Sequence, residues 1–359
     1  MTIYLLYMAS PGILYLLLES FSSYSIADCK RSKRKYMYLV GIVMMLMIGL
    51  RHPENGSGDT MFYYNFWESM SKASLKMLFV SLVEVDLERG FQITTWILSH
   101  IFKNGQWALI LSGAFISFSV CRFVSKNCKN VVLALTVFNC LGLFNFMVQG
   151  MRQAIAMCIC LLAIEHCKQK TIKNFLKFAL LIAVASFFHA SAIVFSLMYV
   201  VSFAKLDVKG FAAFAAGAGI SILYLPALFE IINNAINDDY ALGTGSDSGG
   251  VFAILIYLVI ILCGLALADK KNQNYALFFY MACIGCICMV LRRSTSEIAE
   301  RVNYYFAFSQ MVIMSNSIKH ISEKQIGYVL NLLAFTLCIG VAIYKASYSI
   351  LIPYLFFWQ

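Results

Sequence analysis

The sequence predicts an all-α, polytopic integral membrane protein with about twelve transmembrane helices. Hydrophobic residues make up 61% of the 359-residue chain and charged residues only 13%, and apolar runs recur along its whole length. These runs are continuous, whereas the strands of a membrane barrel alternate apolar and polar residues. Because lipid offers no hydrogen-bond partner to the backbone, continuous runs in a bilayer must be helical.

In chain order, the predicted spans are 3–19, 37–50, 107–124, 131–149, 152–166, 175–188, 190–203, 210–229, 251–268, 275–291, 303–318 and 326–344. The first is interpreted as a retained helix, because Met1–Glu19 has neither a basic start nor a small-residue cleavage site. The half-length apolar segment 91–103 is predicted to be re-entrant or interfacial. We therefore expect a single transmembrane helical domain over 1–359, with external loops at 51–90 and 233–250.

The orientation follows from the lysines and arginines. The chain carries a net charge of +10, and its basic clusters lie between apolar runs, as at 30–35 and 168–177. Short basic loops face the cytoplasm, where anionic membrane lipids are their expected partners; nucleic-acid binding is not expected. All the basic loops fall on that side only if the stretch 175–203 breaks into two passes near His189.

The cysteines and carboxylates do not predict a metal or redox site. Most of the twelve cysteines lie inside apolar runs, and the CxxC spacing of Cys283 and Cys286 has no neighbouring histidine. A buried free cysteine behaves as a small hydrophobic residue. The pair Asp238-Asp239 lacks a further carboxylate in helical spacing, so solvation explains it better than a bound cation. We expect no metal and no cofactor.

Arg152 is the most informative residue of the chain, because it interrupts an apolar stretch that runs from Val131 to Ile164. A cation at the centre of a membrane helix costs roughly 2.5–3.5 kcal/mol on insertion scales, and such groups usually face a cavity or a pathway. In the predicted topology, other polar residues converge with Arg152 on the external side: Arg51, His52, Asp59, Tyr63, Tyr64, Glu88, Arg89, Gln153, His189, Arg292, Arg293, Glu297, Glu300 and Arg301.

Several arginines at one depth suit a diphosphate ligand, because a guanidinium binds phosphate through two parallel hydrogen bonds and keeps its charge. For two of these residues, a purely structural role is also open. His189 fits a hydrogen-bonded core residue, and Arg301 fits a structural ion pair with Glu297 or Glu300.

The order and spacing of these residues resemble the EpsG-type members of the Wzy polysaccharide polymerases. The resemblance covers about residues 37–310 and rests on five segments in order: Gly49-Leu50-Arg51 followed by Gly58-Asp59 and Tyr63; Glu88-Arg89-Gly90-Phe91; Met151-Arg152-Gln153-Ala154-Ile155-Ala156; Phe188-His189-Ala190-Ser191-Ala192; and Arg301 followed by Tyr304 and Tyr305. The directly adjacent Gly58-Asp59 departs slightly from the family's spacing.

The resemblance implies a GT-C-like membrane transferase in the bacterial cytoplasmic membrane. Such enzymes polymerise undecaprenyl-diphosphate-linked oligosaccharide units on the outer face, making O-antigen, capsule or exopolysaccharide, and a chain-length regulator is an expected partner. Alternatives are a ligase that uses the same lipid carrier, or a flippase for the lipid-linked unit. A flippase usually shows paired halves, and no internal repeat is visible here.

The expected catalytic residues are Arg152, Asp59, Glu88 and His189. Arg152 stabilises the charge of the departing diphosphate, while Asp59, Glu88 or His189 accepts the proton of the acceptor hydroxyl. The sequence does not show which of these three residues is the base. The expected substrate-binding residues are Arg51, Tyr63, Gln153, Arg301, Tyr304 and Tyr305.

Overall fold

The computed structural model describes residues 2–21, 26, 29–55, 58–236, 248–267, 273–295, 297–318, 324–347, 349 and 351–359. Every regular element in these ranges is a helix. The α-helices are α1 (Thr2–Phe21), α2 (Lys30–Gly49), α3 (Gly58–Met70), α4 (Leu75–Glu84), α5 (Arg89–Ile101), α6 (Gln106–Asn127), α7 (Val131–Cys140), α8 (Leu143–Gln149), α9 (Met151–Ala163), α10 (Ile172–Phe188), α11 (Leu197–Val201), α12 (Val208–Ile236), α13 (Ser248–Ala266), α14 (Gln273–Thr295), α15 (Glu297–Ser317) and α16 (Lys324–Ser347). Two 3-10 helices, Ile164–Cys167 and Ala190–Ser196, join α9 to α10 and α10 to α11.

The all-helical, multi-pass membrane character predicted from composition is confirmed. In the described part of the chain, four segments are long and apolar enough to cross a membrane: Thr2–Ser20, Gln106–Asn127, Asn274–Arg292 and Gln325–Ser347. The other predicted spans fall on helices that do not pass this test singly within the described residues, so the number twelve stays a prediction. The half-length segment predicted at 91–103 is α5.

The predicted span 131–149 is broken. Its two parts, α7 and α8, form an angle of 62°. Gly142 lies at the break with φ of 77°, a left-handed conformation that glycine adopts without the steric penalty of a Cβ. A second interruption follows at Gly150, where α8 ends and α9 begins. These two breaks bring Arg152 into the first turn of a new helix.

The break predicted near His189 is confirmed. The helix α10 ends at Phe188, His189 is extended with φ of −160° and ψ of 118°, and the 3-10 helix begins at Ala190. An interruption in an apolar segment places backbone and side-chain polar groups where protein or water must satisfy them. His189 therefore lies at a position that favours a polar environment.

The segment 51–90 contains two helices, α3 and α4, rather than an extended loop. Its apolar side chains form a small core with α5, α6 and α9, made of Tyr63, Phe66, Met70, Ala73, Phe91, Leu109 and Met151. This packing holds α3 and the start of α5 against the start of α9. In the other predicted loop, α12 runs to Ile236 and α13 begins at Ser248, and 237–247, including Asp238-Asp239, lies outside the described residues.

Candidate active site

Three interruptions of the helices place Glu88, Arg152 and His189 at the same end of the bundle. Glu88 is the residue that precedes α5, Arg152 is the second residue of α9, and His189 follows the last residue of α10. The helix α10 packs against both α5 and α9. The ends of these helices are therefore adjacent in space, although the residues are far apart in the sequence.

The carboxylate of Glu88 bridges the two other side chains. Its Oε2 forms an ion pair with Nη1 of Arg152, and its Oε1 lies 2.6 Å from Nδ1 of His189. Nε of Arg152 donates a hydrogen bond to the hydroxyl of Tyr63 over 3.2 Å. The side chains of Arg152, Glu88 and His189 are 26%, 18% and 19% exposed. We call Glu88, Arg152 and His189 the central triad: they are largely enclosed, yet still accessible to a ligand.

Electrostatics keep Glu88 ionised. Burial raises the pKa of its carboxyl group, but the hydrogen bond from His189 and the positive charge of Arg152 outweigh burial and lower the pKa to about 2. An anionic carboxylate only accepts hydrogen bonds, so Nδ1 of His189 carries the proton that it donates to Glu88. In a neutral imidazole, Nε2 is then the nitrogen that can accept a proton.

Gly90 permits this arrangement through close packing. A Cβ atom at Gly90 would lie 2.5 Å from the backbone oxygen of Phe187 and 2.6 Å from its side chain. Any larger residue would push the start of α5 away from the end of α10. The small size of residue 90 therefore allows Glu88 to reach His189.

Arg51 has a structural environment. It is fully buried, and it donates hydrogen bonds from Nη1 to the carbonyl of Ile48 over 2.7 Å and from Nη2 to the carbonyl of Val148 over 2.8 Å. These carbonyls belong to the last turns of α2 and α8, which have no helical partner for their final C=O groups. Because Arg51 is fully buried in this structure, its predicted contact with a substrate stays a prediction.

The C-terminal residues cover the segment around Arg51. The N–H of His52 donates to the carbonyl of Leu355 over 2.8 Å, and the N–H of Phe357 donates to the carbonyl of Leu50 over 2.9 Å. Arg51 and Phe356 form the resulting antiparallel bridge. The end of the chain thus stabilises the loop after α2.

The remaining predicted residues lie in different surroundings. Gln153 is buried and donates to the backbone carbonyl of Arg301 over 2.6 Å, which ties α9 to α15, while the side chain of Arg301 is exposed. Tyr305 is only 1% exposed, and its hydroxyl lies 3.1 Å from that of Ser191. Asp59 is exposed one helical turn before Tyr63.

Tyr304 points to another part of the molecule. Its ring stacks on Phe146 with the ring centroids 3.8 Å apart, and it lines a separate cavity beside α8. Of the predicted site residues, the structure therefore assembles Glu88, Arg152, His189 and Tyr63. It does not bring Arg51, Tyr304 or Tyr305 into direct contact with the central triad.

The EpsG family is the family whose model matches this sequence, over residues 34–356. The match spans nearly the whole chain and includes every residue of the central triad. The chain belongs to the EpsG family. Membership of this family indicates a membrane protein resembling a polysaccharide polymerase, with a glycosyltransferase-like activity. Comparison with curated proteins and with solved structures gave no match.

This EpsG-family protein also has an apolar groove next to the central triad, which sequence reasoning missed. The groove has a volume of about 450 Å³ and lies between α5, α6, α9 and α10. Phe91, Met151 and Phe188 line it, and they lie one to three residues from the members of the triad. In the sequence these residues are indistinguishable from other apolar residues of the spans.

Proposed function

We propose that this protein polymerises polyprenyl-diphosphate-linked oligosaccharide units by glycosyl transfer on the outer face of a bacterial cytoplasmic membrane. A GT-C-like arrangement with about twelve crossings is part of this proposal. The observation that carries it is the position of the Glu88 carboxylate, which contacts both Arg152 and His189 beside an apolar groove. This arrangement offers a cation for a leaving diphosphate, a base for a hydroxyl and space for a lipid chain.

Arg152 has the role of binding the donor diphosphate. Among the described residues, its contacts use Nε and Nη1, which leaves Nη2 for an incoming phosphate oxygen. As the bond between the anomeric carbon and the phosphate oxygen breaks, the bonding electrons move onto the diphosphate. A fixed guanidinium stabilises this developing charge in a poorly solvated site.

His189 has the role of the general base, with Glu88 as its positioning residue. While a hydroxyl oxygen of the acceptor sugar bonds to the anomeric carbon, Nε2 of His189 takes the hydroxyl proton. General-base catalysis of this kind contributes about 10²–10⁴-fold to the rate. Glu88 holds the imidazole by its Nδ1 and is itself a weak base, because its pKa is about 2. Asp59 is the second candidate base, since its carboxylate is exposed near Tyr63.

The apolar groove supports a lipid-linked donor. Along α9 it extends from Met151 to Leu162, which at 1.5 Å per residue corresponds to about 16 Å. A polyisoprenyl chain bound there would place its diphosphate beside Arg152. A nucleotide sugar would leave this groove empty.

A polymer-ladder assay tests this function. The gene is expressed in a polymerase-deficient strain of the same polysaccharide locus, as wild type, Arg152→Ala and His189→Gln at matched membrane levels. We expect a ladder from the wild type and single lipid-linked units on the outer face from both variants. Arg89→Ala is the control, because Arg89 is exposed next to Glu88.

The alternatives give other results. Accumulation of units on the cytoplasmic face of cells without the protein would identify a flippase. Transfer of single units to a different acceptor, without a ladder, would identify a ligase. A ladder that persists in Arg152→Ala would contradict the role assigned to Arg152. A chain-length regulator remains an expected partner. Loss of such a partner would change the length distribution of the ladder while a ladder is still made.

A further inference from the structure

A second, larger cavity lies beside α8, and no member of the central triad lines it. Its volume is about 770 Å³, within the 300–1,000 Å³ that small-molecule sites usually have. It is lined by residues of α8, α13, α14, α15 and α16 and by the turn between α7 and α8. Gln149, three residues before Arg152, lines this cavity. We call it the α8 cavity.

The charged groups of the α8 cavity leave an excess of positive charge. Nε of Arg292 lies 2.8 Å from Oε2 of Glu300, and the hydroxyl of Tyr304 donates to Oε1 of Glu300 over 3.0 Å. Lys345, in the last turn of α16, is the second cation. Among the described lining residues Glu300 is the only acid, and its ion pair is with Arg292. An ionisable side chain that faces a cavity in a membrane protein marks a candidate ligand site.

The uncharged lining suits a saccharide. Tyr304 presents a ring that is fixed by stacking on Phe146, and Tyr257 and Tyr344 also line the cavity. Aromatic rings pack against the C–H face of a sugar ring, as they do against other flat apolar surfaces. Asn145 and Gln149 add amide groups that can hydrogen-bond to sugar hydroxyls.

We infer that the α8 cavity binds the acceptor, a second anionic, diphosphate-bearing saccharide unit. The inference rests on the proposed function, in which each transfer joins two units that both carry a diphosphate. The contacts of Arg152 leave Nη2 of a single guanidinium at the central triad, which suits one diphosphate. The acceptor then needs a second cationic site, and Lys345 with Arg292 provides one.

Gly340 allows the α8 cavity to be blocked without disturbing the fold. It lines the cavity, and a Cβ atom placed there meets no atom within 4 Å. A leucine at this position therefore extends into open space. Because glycine is less favourable than other non-proline residues inside a helix, the substitution is not expected to destabilise α16. Gly219 in α12 is a matched control, since a Cβ there also meets no atom within 4 Å and the residue does not line the cavity.

The test counts bound units by native mass spectrometry. Purified protein is mixed with the lipid-linked unit extracted from the polymerase-deficient strain. We expect up to two bound units for the wild type, Gly219→Leu and Lys345→Arg, which keeps the charge. We expect one bound unit for Gly340→Leu, Lys345→Met and Arg152→Ala, and none for Arg152→Ala combined with Lys345→Met.

A polymer-ladder assay on the same preparations separates the inference from the function. A wild type that makes the ladder but binds one unit, lost in Arg152→Ala and kept in Gly340→Leu, would overturn the acceptor site and leave the proposed function standing. A wild type that neither binds the unit nor makes a ladder would overturn both. Two bound units in both Gly340→Leu and Lys345→Met would place the second unit outside the α8 cavity.

Discussion

Replacing Glu88 by glutamine tests the central triad most directly. The substitution keeps the shape of the side chain and removes the negative charge that Arg152 and His189 share. The pKa of Glu88, about 2 against an ordinary 4.5, corresponds to about 3 kcal/mol in favour of the charged form. Since Glu88 is 18% exposed, water screens part of this interaction, and we expect Glu88→Gln to lose stability on the order of 3 kcal/mol.

The pH dependence of this loss has a definite sign. A folded-state pKa below the unfolded one stabilises the fold above the unfolded pKa, and the stabilisation disappears as the pH falls through the folded pKa. The difference in unfolding temperature between wild type and Glu88→Gln should therefore be fully present at pH 7. It should shrink as the pH falls from about 4.5 toward 2.

Thermal unfolding in detergent, followed by intrinsic fluorescence, measures this difference at pH 7, 5 and 3. Glu84→Gln is the matched control, because Glu84 is an exposed carboxylate at the end of α4. We also expect Glu88→Gln to lose most of the polymer ladder, since the single amide oxygen of glutamine can accept from only one of Arg152 and His189 and carries no charge. Equal unfolding temperatures for wild type and Glu88→Gln at pH 7, together with a normal ladder, would refute the bridging role of Glu88.

Four further substitutions probe the surroundings of the triad. Arg152→Lys should lose more than tenfold in initial polymerisation rate, because lysine lacks the planar fork of arginine; a rate equal to wild type would show that charge alone suffices. Gly90→Ala should lower both the unfolding temperature and the ladder through its contact with Phe187, whereas Gly12→Ala, where a Cβ meets nothing within 4 Å, should change neither. Arg51→Met should destabilise the protein by about 1.5–3 kcal/mol for each lost hydrogen bond to a carbonyl. The measurement is the fall in unfolding temperature. Normal stability together with reduced binding of the lipid-linked unit would instead support a contact between Arg51 and the substrate. Asn55→Ala should lower the unfolding temperature by removing the hydrogen bonds to Pro353 and Leu355, and an unchanged value would show that the C-terminal residues do not stabilise the Arg51 loop.

The positions of the helices could be predicted because lipid imposes simple rules on composition. Hydrophobic runs predict the helices, and the asymmetry of lysine and arginine requires the break at His189, which the structure contains. The bend at Gly142 could not be predicted from apolarity. It depends on one left-handed glycine inside a run that is otherwise continuous.

The candidate site was predictable only in part, because a residue type does not reveal its partners. Arg152 and Arg51 are both arginines near helix ends. Arg152 forms an ion pair with Glu88, whereas Arg51 donates to backbone carbonyl groups. Tyr304 and Tyr305 are neighbours in the sequence, but successive residues of a helix point about 100° apart. They therefore cannot share one surface, and the structure places them in different surroundings. Lys345 is unremarkable in the sequence, since a lysine in the last turn of a helix is common.

The central triad solves an electrostatic problem that any anion site near lipid must meet. In the protein without ligand, an unpaired guanidinium removed from water would be destabilising because it loses its hydration. Glu88 removes most of that cost by forming an ion pair with Arg152. The same carboxylate also holds His189, so a diphosphate that competes for Arg152 acts directly on the partner of the base. One carboxylate therefore contacts both the residue that binds the leaving group and the residue that acts as the base. This explains why three helix ends, from distant parts of the chain, converge on Glu88.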